Sequence, residues 1–110
     1  MKATAEIDAG VCGFHTTVRA VSKDEQNVTL DLESQCEKIR ALGEALKAKG
    51  QIDAYQEINP AGESVVMQTV RATLKGCCAA CAVPVGIFKA MQVSARLALP
   101  QDVGIRVAKE

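Results

Sequence analysis

Tryptophan is absent, and Phe14, Tyr55 and Phe88 are the only aromatic side chains in 110 residues. So few rings cannot stack a run of bases. Charge of one sign is lacking too: 13 lysines and arginines meet 13 aspartates and glutamates. No global field draws the chain to a polyanion, so nucleic-acid binding is not expected. No stretch approaches the roughly 18 consecutive apolar residues that a membrane-spanning helix needs, so no membrane partner is expected. The opening "MKATAEIDAG" has no apolar run resembling a signal peptide, and a cytoplasmic chain with reduced thiols is expected. Phosphate-binding glycine loops, dinucleotide fingerprints, nucleophile elbows and H-E-x-x-H are also missing, which argues against the commonest nucleotide, hydrolase and zinc-protease chemistries.

What is present is an ordinary globular balance of 48% apolar and 24% charged residues, enough for one domain over residues 1–110. "ATAEIDA" alternates, with Ala3, Ala5 and Ile7 on one side and Thr4, Glu6 and Asp8 on the other. That is the period of a half-buried strand. "HTTVRAVS" and "NVTLDLE" continue as strands two and three, joined by short turns that favour an antiparallel meander. "SQCEKIRALGEALKAKG" reads as a helix, capped by Ser34 with Glu37 three residues on, striped by Ile39, Leu42 and Leu46, and stopped at Gly50. Residues 51–62 read as a connection with a helical turn. Val66, Val70 and Leu74 mark a further helix, and Pro84 opens another that runs toward Pro100. Val103, Ile105 and Val107 alternate again, which predicts a fourth strand. The fold class is therefore α+β: a single domain, a sheet of about four mostly antiparallel strands covered by two or three helices.

Five cysteines stand out against this background, and three of them fall within five positions, Cys77, Cys78 and Cys81. An odd count argues against a closed disulfide framework. The reading above puts each thiol at an end or corner. Cys12 lies in the glycine-flanked turn after the first strand, Cys36 is about the second residue of the first helix, and Cys77, Cys78 and Cys81 precede the helix of Pro84. Helix starts present unpaired N–H groups that favour anions and lower thiol pKa values.

Three functions follow. If Cys12, Cys36, Cys78 and Cys81 converge, with Cys77 as an alternate, they can ligate an iron–sulfur cluster, or zinc in its place. Zinc sites more often pair two short hooks, whereas one C-x-x-C joined to two isolated cysteines suits a cluster. Such a protein would carry electrons, deliver clusters or assist a larger enzyme; enzymatic activity of its own is left open. The second function is thiol chemistry at Cys78 and Cys81, a redox C-x-x-C with one nucleophile and one resolving thiol. The third is a structural or interaction module, because free cysteine commonly packs as a small apolar residue. His15, directly after "CGF", is a candidate nitrogen ligand or proton donor, though a lone histidine at a strand start is more often a surface residue. Glu6 and Asp8 read as a solvated strand face. A protein partner or a homo-oligomer is expected, and Val65 and Val66, if exposed, point to self-association.

"CAVPVGIFKAM", Cys81 to Met91, resembles the Cys-Pro-x-Pro helix start of sulfur-carrier proteins of the tRNA-thiolation type, with Ala82 in place of the first proline. That resemblance implies a persulfide on Cys81. A reactive cysteine before a late helix also resembles organic-hydroperoxide-resistance proteins, which would require a second cysteine and an arginine, Arg71 or Arg96. As a whole the chain is similar to small cysteine-containing prokaryotic proteins, a resemblance that implies a class and no activity.

Overall fold

A computed structural model describes residues 1–59 and 62–110, apart from the Cys77 side chain. The strands are β1 (Lys2–Asp8), β2 (His15–Ser22), β3 (Asn27–Ser34) and β4 (Ile52–Asp53), antiparallel in the order β1-β2-β3-β4. The helices are α1 (Glu37–Ala48), α2 (Ala54–Ile58), α3 (Val65–Thr73) and α4 (Val83–Ser94). The α+β meander is thus as expected.

Alternation decides which face of the sheet is covered. Thr16, Val18, Ala20 and Ser22 on β2, and Val28 and Leu30 on β3, are buried, while Arg19 and Asp31 between them are exposed. The register puts Ala5 against Val18, and Val18 against Leu32. One face is therefore continuously apolar. Helix α1 packs on β3, and α4 on β1 and β2, with α3 against α1. Ile39, Leu42 and Leu46 point into the core from α1, and Ile87 and Met91 from α4. Two glycines let these helices sit close. A Cβ on Gly43 would lie 3.0 Å from Leu32 Cβ, and one on Gly86 would lie 2.5 Å from Ile7 Cδ1.

Three expectations are corrected. Helix α1 is capped at Cys36, because Ser34 is still the last residue of β3; the Ser34 hydroxyl accepts the Cys36 N–H at 3.1 Å. The fourth strand is the two-residue β4, and residues 101–110 lie outside the sheet and are exposed. Helix α4 begins at Val83 and ends at Ser94, well before Pro100. Val66 is buried in the core, and only Val65 is exposed.

The buried carboxylate of Glu57, on α2, supplies what the first turn of α3 lacks. It accepts the N–H groups of Val65 at 2.8 Å and Val66 at 3.3 Å, and the hydroxyl of Ser64. The Ser64 hydroxyl in turn accepts the Met67 N–H at 3.0 Å. Free N–H groups at a helix start are thereby satisfied without water. Glu57→Ala is expected to lower unfolding free energy by about 2 kcal/mol, since it strands buried donors. Urea denaturation measures this; an unchanged midpoint would mean that water replaces the carboxylate.

Candidate metal centre

Strand register brings two of the sequence-distant thiols together. Ile7 pairs with Thr16, and Thr16 with Ser34, so the end of β1, the start of β2 and the end of β3 share one end of the sheet. Cys12 lies in the 3-10 turn Gly10–Cys12 that follows β1, and Cys36 lies two residues beyond β3. The Cys12 turn closes through the Gly13 N–H to the Gly10 carbonyl at 2.9 Å, with both glycines at positive φ. Side chains other than glycine resist that conformation.

Helix α4 reaches the same end from the covered face. Because Gly86 touches Ile7, the start of α4 stands over the end of β1. Cys78 sits in the 3-10 turn Gly76–Ala80, and Cys81 follows it directly. This segment hangs between two buried anchors, Leu74 and Val83. All four thiols, Cys12, Cys36, Cys78 and Cys81, border one broad, open groove, which β1 and residues 97–105 also line. The four are free thiols; Cys12 is exposed, and the other three are half-buried against the core. Cys77, the alternate, has its side chain outside the described residues.

The thiols sense one another electrically. Burial pushes the Cys81 thiol above its ordinary value of 9.0; the Val83 N–H, hydrogen-bonded to the sulfur, pulls it down, and thiolates at Cys12, Cys36 and Cys78 push it up again. A helix start was expected to lower this pKa. The N–H contribution is there, but desolvation outweighs it. Among the described residues no three of His, Cys, Asp and Glu are grouped to hold a single metal ion. Tetrahedral zinc with Zn–S of about 2.3 Å needs its sulfurs about 3.8 Å apart. The thiols share a cleft without being drawn in to that spacing.

His15 stands elsewhere. It points to the uncovered face of the sheet, where Nδ1 donates to Asp8 Oδ1 at 2.8 Å and Nε2 donates to Glu6. Thr17 also donates to Glu6, at 2.9 Å. Only the imidazolium donates from both nitrogens, so hydrogen bonding by Asp8 first and Glu6 second raises the His15 pKa above 6.5. The same bond, with that of Thr17, lowers Glu6 below 4.5. Glu6 and Asp8 therefore clasp a histidine, a role their alternation alone did not reveal. Arg71 and Arg96 form surface ion pairs with Glu63 at 3.8 Å and Glu25 at 3.2 Å.

With this geometry in place, comparison with known proteins adds a family. Residues 3–107 match the profile of a Family of unknown function, DUF6951. The chain belongs to that family. No curated protein and no solved structure matches it. No helix among the described residues is long and apolar enough to cross a membrane.

Two outcomes follow for this member of DUF6951. The histidine clasp contributes fully below the ordinary His15 value of 6.5 and is lost as pH rises through the raised one; at the acid end it is lost as pH falls through the lowered Glu6 value. Titration of the His15 ring by NMR should give a midpoint above 6.5, which Glu6→Gln brings down. At neutral pH, exposed Cys12 should alkylate fastest and Cys81 slowest, because less Cys81 is thiolate. Peptide mass spectrometry over time ranks them.

Proposed function

We propose that this domain holds an iron–sulfur cluster on the thiolates of Cys12, Cys36, Cys78 and Cys81, for electron transfer, cluster delivery or assistance to a larger enzyme. The observation that supports this is that these four thiols, from three separate parts of the chain, border one groove, and that charge on the other three acts on Cys81. Their mutual repulsion as thiolates is unfavourable without a cation, and binding one converts that cost into attraction. A cluster spreads its charge over several irons and takes thiolates at wider separation than one tetrahedral ion does. One C-x-x-C joined to two isolated cysteines, rather than two short hooks, favours iron–sulfur over zinc. When bound, a cluster supplies reversible one-electron chemistry, at a potential set by burial and by hydrogen bonds to sulfur.

The protein contributes the rest. Val83 N–H, already directed at the Cys81 sulfur, would stabilise a thiolate there. The exposed turn of Cys12 gives access from solvent, for loading or for passing the cluster to a partner. Thiol chemistry at Cys78 and Cys81 has less support, since the raised Cys81 pKa weakens it as a nucleophile. The same shift weighs against Cys81 as the persulfide carrier suggested by its Pro84 context.

Reconstitution without oxygen, using ferrous iron and sulfide, tests the reading. Brown protein with broad visible absorbance is expected, with iron content reduced by Cys→Ser at each of the four positions. Cys12 is the discriminating case: bound iron should shield this otherwise exposed thiol from alkylation. Colourless protein carrying one zinc would replace the cluster by a structural ion. Metal-free protein with one fast-reacting thiol of Cys78 or Cys81 would favour thiol chemistry instead.

A further inference from the structure

The C-terminal segment pairs with nothing in its own domain. Among the described residues, no backbone hydrogen bond joins residues 98–110 to the rest of the chain. Yet Val103, Ile105 and Val107 alternate as in a strand and stand 53%, 68% and 92% exposed. A strand-patterned segment gains nothing from presenting that stripe to water. Across the sheet, β1 is an edge: it pairs with β2 on one side only. Its inward residues Ala3, Ala5 and Ile7 are only half-buried. An open edge and a loose strand on one chain are two halves of one interaction.

The exit from α4 is fixed. Arg96 takes positive φ at 60°, the Leu97 N–H bonds the Gln92 carbonyl at 2.8 Å, and the Arg96 N–H bonds that of Val93 at 3.0 Å. This is a Schellman stop, and Arg96 is held further by its pair with Glu25 at 3.2 Å. Pro100 then keeps Leu99 extended. The segment leaves α4 in a set direction and borders the groove beside β1 without a backbone hydrogen bond to it.

We propose that residues 101–109 add as a strand to the β1 edge of a second copy of this chain, and that the exchange is reciprocal. In parallel register, Asp102 lies opposite Lys2 and Arg106 opposite Glu6, so both charges find a partner on the outer face. On the inner face, the large Val103 and Ile105 lie beside the small Ala3 and Ala5, and Val107 beside Ile7. Val85 of α4, 43% exposed beside this edge, would gain apolar cover. Reciprocal exchange is a closed two-fold arrangement, so it ends at a dimer and builds no fibre. The inference does not depend on the thiols holding a cluster.

Sedimentation of the full chain with its thiols reduced tests it. A dimer is expected, with the chain ending at Pro100 reduced to a monomer of unchanged far-ultraviolet circular dichroism. Ile105→Asp should weaken dimerisation by about 30-fold or more, the loss typical of one central apolar anchor. Asp102→Lys should weaken it, and Lys2→Asp in the same chain should recover it. A dimer that survives removal of the segment overturns the proposal. So does a monomeric full chain, whether its segment amides exchange freely or are protected by folding back on their own β1.

Discussion

The close approach of α4 to β1 sets the rest of the molecule. Gly86 has no side chain, so the helix lies directly on Ile7, and Ala90 and Ile87 follow onto the same apolar face. A helix held that near the last inward residue of a strand must begin above the end of that strand. The turn after β1 and the segment before α4 then have nowhere to go but toward each other. Cys12 and Cys81 border the same groove for that reason. A methyl group at Gly86 would act at a distance: the Ile7 tip would have to turn, or the helix would lift and open the cleft.

Much of this was legible in the chain. Period-two alternation located β1, β2 and β3, and period 3.6 gave Ile39, Leu42 and Leu46 their inward face. Two signals misled, each for a physical reason. Ser34 has the residue type and spacing of a helix cap, but β3 holds it through a bond from Thr16 Oγ1 at 2.9 Å, and the cap moves to Cys36. The alternation of Val103, Ile105 and Val107 has the period of a strand, but among the described residues this segment pairs with none. Pattern reports which face wants burial, and it carries no information about which chain supplies the cover. The convergence of the thiols lay beyond the sequence, because it depends on register and on the glycine contact. Neither leaves a mark in residue spacing. His15 was invisible as a clasp for the same reason: the pairing of Asp8 with His15 across β1 and β2 creates it.

The thiol cleft combines two opposed tendencies. Burial makes the Cys81 thiolate costly, and charge on Cys12, Cys36 or Cys78 would add to that cost. Packing alone would separate such groups or sink them among aliphatic side chains, and three of the four do touch the core. Cys12 breaks that pattern. It is exposed, flanked by two positive-φ glycines, in a turn that has no buried residue. Core packing therefore does not account for the position of Cys12, which is where the proposed ligand role has its support.

Both unsatisfied features of the molecule meet at β1. Its end supplies the Cys12 turn, and its free edge runs back from there along the mouth of the same cleft, which residues of the C-terminal segment also line. A strand laid along that edge by a second copy would continue the sheet past Ile7 and bring its Val107 beside the end that carries the thiols. Such an addition would stiffen β1, otherwise held on one side only, and would narrow the open side of the cleft without touching a sulfur. A cofactor held as proposed would meet water and oxygen at the exposed Cys12. Were both proposals to hold, covering this edge would work in the same direction as ligation, through the single strand that carries the Cys12 turn.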